Sequence, residues 1–194
     1  MIALGVDPGT LRLGWGVVRR EGNRICHVAH GVINLSPELE LPERLRRIDE
    51  QLDRVVERHR PEVGSVETLF FHRDAQAAAK LGHARGVVLL CLARRGIPVA
   101  EYPPARVKRA IAGHGRAAKP QIARMVRALL ALDVPPSSDA ADALALAITH
   151  LRIAPLEQAL AARRCRAATD PRPAGALGRS PGRRRCRRPP PRGK

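Results

Sequence analysis

Four acidic residues hold positions where an acid has chemistry open to it: Asp7, Glu67, Asp139 and Asp142. Asp7 follows the apolar run Ile2-Ala-Leu-Gly-Val6 and precedes Pro8-Gly9. A short apolar run closed by turn residues reads as a buried strand, here ending on a carboxylate. Glu67 ends a second such run, Val63-Gly-Ser-Val. Asp139 and Asp142 are three residues apart at the start of a helical pattern, so they share a face of its first turn. A carboxylate is costly in a core unless it is paired or holds a metal, and strand ends are where sheet proteins place their chemistry. Mg²⁺ takes oxygen ligands, usually a few carboxylates, with water and substrate phosphate completing the shell. Two such ions about 3.5–4 Å apart activate a water and steady the leaving oxygen in an in-line phosphodiester displacement. Plainer roles exist for three of these acids. On residues 1–10 alone, Asp before Pro-Gly is equally a turn starter. Ser138 or Asp139 equally suits an N-cap, and an acid in a first turn is helped by the helix dipole. The Ala140-Ala141 spacer between the two aspartates reads as a cleared ledge for a cation.

The elements that must position these acids follow from periodicity. After the first strand, Leu13–Arg20 and Arg24–Leu35 read as strands joined at Glu21-Gly22-Asn23, giving an antiparallel meander. His27 and His30 lie three apart in the third strand, so they are expected on opposite faces in structural roles. Leu41–Arg60 is an amphipathic helix with Leu45, Ile48, Leu52, Val55 and Val56 on one stripe. Val63–Glu67 is the fourth strand. Phe70-Phe71 follow it, backed by His72 and Arg73, and suit either base stacking or capping of the core, with one ring expected buried and one exposed. Ala75–Arg95 is a helix whose later half is apolar nearly all round, implying cover from a partner subunit or from a third layer of the same chain. Gly96–Tyr102 is the fifth strand. Arg106, Lys108, Arg109, Arg116 and Lys119 punctuate a connection containing Gly113-His-Gly115, a pattern suited to phosphate contact. Lys119–Leu132 and Asp139–Leu151 are helices.

Composition narrows the partners. The 194 residues carry 35 Lys and Arg against 18 Asp and Glu. Residues 155–194 hold 12 of those cations and 2 of the acids, so the rest of the chain is basic without them, which favours a polyanion such as nucleic acid or an anionic membrane surface. Pro and Gly supply 11 of the last 40 residues, and this stretch reads as a disordered basic tail behind a domain of residues 1–154. The four cysteines are scattered without a C-x-x-C pair, which suggests neither a zinc site nor a disulfide framework. No signal-peptide pattern and no long apolar span are present, so the expected location is the cytoplasm, away from any membrane.

The order β-β-β-α-β-α-β-α-α with acids at these places resembles the ribonuclease H-like fold, an α/β fold with a mixed five-stranded sheet flanked by helices. More closely, residues 2–152 resemble the RuvC family of bacterial Holliday-junction resolvases. The shared motifs are Asp7-Pro-Gly-x-x-x-x-Gly14-x-Gly16-Val17, Glu67-x-x-Phe70, Lys80-Leu-Gly-x-Ala-Arg-Gly-Val87, Val107-Lys108, Gly113-x-Gly115-x-x-x-Lys119-x-Gln121 and Asp139-Ala-Ala-Asp-Ala-Leu-Ala145. The resemblance implies a homodimer that nicks two opposed strands of a four-way DNA junction symmetrically. It implies Mg²⁺, two ions per subunit with Mn²⁺ able to substitute, and cooperation with the branch-migration helicase RuvA and RuvB. It assigns Asp7, Glu67, Asp139 and Asp142 as catalytic metal ligands and Phe70 as a base-stacking aromatic. Lys108 and Lys119 fall on its basic DNA-contact positions, and Arg73 falls near the junction centre. Trp15 stands where the family usually has Tyr, His72 falls in a variable loop, and the tail from Pro155 does not match.

Other readings compete. An actin- or hexokinase-like ATPase also begins with Asp, Gly and Thr after a first strand, but it needs a second such domain and a second phosphate loop. A non-catalytic nucleic-acid-binding protein would be favoured by loss of a carboxylate, and all four are present. Another ribonuclease H-like nuclease, such as the shorter resolvase-like proteins of ribosomal RNA processing, fits less well with the Gly-x-Gly/Lys119 stretch and the Asp139/Asp142 motif.

Overall fold

The computed structural model describes residues 1–68 and 75–169. Five strands, β1 (Ile2–Asp7), β2 (Arg12–Glu21), β3 (Arg24–Asn34), β4 (Val63–Glu67) and β5 (Val99–Tyr102), form one sheet in the order β3-β2-β1-β4-β5. The β1–β2 and β2–β3 pairs are antiparallel, and β4 and β5 run parallel to β1. This is the mixed sheet expected from the meander followed by strand–helix crossovers. Five helices accompany it: α1 (Leu41–His59), α2 (Ala75–Arg94), α3 (Pro104–Ala112), α4 (Lys119–Leu129) and α5 (Ser138–Thr169).

Two apolar layers hold the sheet between helices. On one face Leu4, Val6, Val17 and Val66 pack with Ile48 and Leu52 of α1 and Val88 and Leu92 of α2. On the other, Ala3, Val18 and Tyr102 pack with Val107 and Ile111 of α3, Ile122 and Val126 of α4, and Leu144 to Leu151 of α5. β1 is therefore apolar on both sides, which is why it reads as a continuous run rather than an alternating one. Of the apolar stretch in α2, Ala84, Val88, Cys91 and Leu92 are buried while Leu90 is exposed.

Three local expectations are corrected. His27 and His30 do not face opposite sides of β3. The register slips between Val17 and Val18, which oppose Ala29 and His27, so the bulge accommodates one extra residue and brings His27 Nε2 within 2.8 Å of His30 Nδ1. Pro104–Ala112 is a helix, not a connection. Pro104 starts it without losing a hydrogen bond, Val107 and Ile111 anchor its inner face, and Gly113 closes it at φ 83°.

The last helix also runs on past Leu151 and through Pro155 to Thr169, beyond the point where a tail was expected to begin. Proline lacks the N–H that would meet the carbonyl four residues back. Here Arg20 Nη1 donates to that carbonyl, Leu151 O, at 2.9 Å, so the missing donor is replaced from β2. The chain divides into compact units Met1–Ala159 and Leu160–Lys194. Of the second, residues 160–169 are described, and they are helical. Among the described residues no helix is long and apolar enough to cross a membrane.

Candidate active site

Asp7 and Glu67 end neighbouring parallel strands, one step beyond the Val6–Val66 pair, and Asp7 lies opposite Gly14 of β2. The first turns of α5 lie directly on this corner. A Cβ built on Gly5 would fall 1.8 Å from the Ala143 carbonyl oxygen, and one on Gly14 would fall 2.0 Å from that of Asp139. Only glycine allows strand and helix backbones so close. Ala140 and Ala141 are buried, so they are contacts that seat the helix and not the expected ledge. The Ala141 N–H donates to Ser137 O at 2.8 Å and the helix begins at Ser138, which puts Asp139 inside the first turn and not at the cap. Ser65 Oγ donates to Leu146 O at 3.0 Å in the core, fixing α5 to β4 as well.

The result is a cleft of about 210 Å³ lined by Asp7, Glu67 and Asp142, with Lys108 of α3 and Lys119 of α4 on its rim. Lys119 Nζ donates to Asp142 Oδ2 at 3.2 Å. Lys119 is the first residue of α4, the positive end of a helix dipole, where a cation is disfavoured. The carboxylates of Asp142, Asp7 and Glu67 compensate, and they hold the ammonium above its ordinary range. Asp139 does not line the cleft. Its Oδ2 is ion-paired at 2.7 Å with Nε of Arg12, the first residue of β2.

Burial, with the nearby charges of Asp142 and Glu67, pushes Asp7 up to about 7. Burial and Asp142 raise Glu67 in the same direction. Two buried acids raised in this way beside a third carboxylate, Asp142, suit a bound cation, and every donor they offer is a hard oxygen, the preference of Mg²⁺ and its relatives. With Asp142 on Lys119 and Asp139 on Arg12, no three His, Cys, Asp or Glu side chains among the described residues are arranged to ligate one ion. The donor chemistry fits a divalent ion, which would have to replace these ammonium and guanidinium partners.

Asp7, Glu67, Asp142, Lys108 and Lys119 thus meet at one cleft, and Asp139 stands beside it. Phe70 and Arg73, with Phe71 and His72, lie outside the described residues. Two arginines of this region carried no role in the sequence. Arg12 occupied an unspecified place between Gly9 and Gly14. Arg85 appeared only as a letter of the Lys80–Val87 motif, yet it is buried on α2, where Nη2 pairs with Glu101 of β5 at 2.6 Å and Nε reaches Glu67 O at 3.4 Å. Its place just ahead of the apolar run Val87–Ala93 is the signal the sequence offers for Arg85.

A sequence model of the crossover junction endodeoxyribonuclease RuvC family matches residues 3–150. The chain belongs to the RuvC family. It is 56% identical over 162 residues to the crossover junction endodeoxyribonuclease RuvC of Sorangium cellulosum, covering 84% of this chain and 90% of that one. Among solved structures, Thermus thermophilus RuvC in complex with a Holliday junction substrate superposes with a TM-score of 0.77 at 42% identity, covering 81% of this chain and 96% of that chain. The yeast mitochondrial Holliday junction resolvase shares the fold, with a TM-score of 0.61 at 14% identity over 86% of this chain and 85% of that one. The ribonuclease H-like sheet and its helices are therefore the RuvC architecture.

Proposed function

We propose that this RuvC-family endonuclease resolves four-way DNA junctions, nicking two opposed strands by metal-assisted phosphodiester hydrolysis. The observation that carries it is the convergence of Asp7, Glu67 and Asp142 on one cleft whose rim bears Lys108 and Lys119, in a chain that matches the family over residues 3–150. Asp7, Glu67, Asp139 and Asp142 are the residues that would hold the ions, two Mg²⁺ per subunit with Mn²⁺ able to replace them. Bound there, such ions supply a nucleophilic water at neutral pH and charge stabilisation of the leaving oxygen.

The chain's own groups do the rest. Asp7 would hold a cation only as the carboxylate, because the protonated carboxyl is a poor ligand. Lys119, freed from Asp142, faces the reacting phosphate from the α4 side, and Lys108 adds a second cation on the same rim. Phe70 stacks on a base and Arg73 contacts the junction near its centre. Two copies act as a homodimer, whose two-fold axis suits paired symmetric nicks, and exposed Leu90 on α2 offers apolar surface for that contact. Residues 155–194 add basic charge for non-specific affinity to DNA. RuvA and RuvB deliver the junction, and the setting is the cytoplasm.

The test is substrate choice under Mg²⁺. A labelled synthetic four-way junction, a duplex and an RNA–DNA hybrid are incubated in parallel. Paired symmetric nicks on the junction alone are expected. Cutting of the hybrid or of single strands would keep the nuclease site but remove the junction-resolving function.

A further inference from the structure

Arg12 lies beside the cleft, on the β2 side of Asp139. It is the first residue of β2, separated by two residues from the Asp7-Pro8-Gly9 turn, and it pairs in register with Asn34 of β3. The Leu35 N–H donates to Leu11 O at 2.9 Å just ahead of it, so its backbone is held from the neighbouring strand. Its side chain is 59% exposed while its Nε sits on Asp139 Oδ2. The two α5 carboxylates thus each carry a cation from a different side: Asp142 has Lys119 of α4, and Asp139 has Arg12 of β2. An acid held by a guanidinium is a poorer ligand until that partner leaves, and a guanidinium that leaves remains on the rim. It is also the side chain best shaped for bidentate contact with phosphate.

We propose that Arg12 is a DNA-phosphate contact on the β2 flank of the cleft, held on Asp139 until a divalent ion claims that carboxylate. The inference rests on the metal-dependent reading of the site and adds a residue to it. A strand entering the cleft would then meet Arg12 in addition to Lys119 and Lys108. Ion binding itself would switch Arg12 from protein to DNA.

The test compares the wild type with Arg12→Ala and Arg12→Lys, using Ca²⁺ as a hard, oxygen-seeking probe. In calorimetric titration without DNA, Arg12→Ala is expected to bind Ca²⁺ about two- to fivefold more tightly, the range of an exposed ion pair. In junction binding, the dependence of log affinity on log salt is expected to flatten by about 0.9 for Arg12→Ala in Ca²⁺, one phosphate contact, and to match wild type in EDTA. Arg12→Lys keeps the charge and is expected to restore the slope. Ca²⁺ binding no tighter than wild type, an unchanged slope in Ca²⁺, or failure of the lysine to restore it would overturn the proposal. Junction cleavage by the wild type under Mg²⁺, run alongside, separates the two failures. A wild type that cuts beside an Arg12→Ala protein identical to it removes Arg12 alone, whereas a wild type that neither binds ions nor cuts removes the metal-dependent reading and Arg12 with it.

Discussion

Lys119 Nζ lies 3.2 Å from Asp142 Oδ2, joining the first residue of α4 to the first turn of α5 across the cleft. Lysine at a helix N-terminus opposes the dipole, so the contact offsets a local cost and leaves an ammonium beside the carboxylates. Replacing it with alanine is expected to slow single-turnover cleavage by about 10²-fold, the scale of losing one group that stabilises developing charge, or to weaken phosphate contact. Wild-type rates in Lys119→Ala would remove Lys119 from the site.

Asp7 separates binding from chemistry. Asp7→Asn keeps the shape and a polar side chain but loses the charge, so cleavage is expected to vanish while junction binding is largely kept, as read by gel shift and nicking on the same preparation. Loss of both together would make Asp7 a structural residue.

The same residue sets a pH dependence of stability. Its carboxyl is raised from about 3.8 to about 7 in the fold, so between those values the folded state binds more protons than the unfolded one. Stability is then lost, not gained, as pH rises through that window. In EDTA, the stability advantage of Asp7→Asn over wild type is expected to grow between pH 4 and pH 8 by an amount on the order of 2–4 kcal/mol. Urea midpoints at both values measure it, and a pH-independent difference would contradict the raised carboxyl.

Ion binding and proton release are coupled at the same place. At subsaturating Mg²⁺ the cleavage rate is expected to rise with pH and level off above about 7, the value to which Asp7 is pushed. Higher Mg²⁺ should move the midpoint to lower pH, because the ion competes with the proton. A midpoint insensitive to Mg²⁺ would uncouple Asp7 from ion binding.

Much of this site is legible in the amino-acid sequence. Asp7 and Glu67 close apolar runs bounded by breakers, and Asp139 and Asp142 begin a helical pattern, so their places follow from local rules. What stays hidden depends on contacts between distant segments. Arg12 has meaning only against Asp139, and nothing local marks it. The helix carrying Lys108 is obscured because Pro103-Pro104 reads as a break as readily as a start. The His27–His30 contact requires a bulge set by pairing with β2. The passage of α5 through Pro155 requires Arg20, from another strand, to satisfy the Leu151 carbonyl.

The glycines illustrate the same point with a consequence for stability. Gly5 reads only as one residue of the first strand, yet its missing side chain lets Ala143 O approach to a distance no Cβ tolerates. Gly5→Ala must push α5 off the sheet, and a loss of about 1–3 kcal/mol or more is expected in urea unfolding. A neutral effect would mean that α5 is seated less closely on β1.

The most direct test is cleavage of an end-labelled four-way junction by wild type and Asp7→Asn side by side, with Mg²⁺ and with EDTA. Paired nicks from the wild type only in Mg²⁺, and none from Asp7→Asn despite junction binding, are expected if the four carboxylates form a metal-dependent nuclease site. Tight junction binding by the wild type without cutting in Mg²⁺ or Mn²⁺, or undiminished cutting by Asp7→Asn, would contradict it.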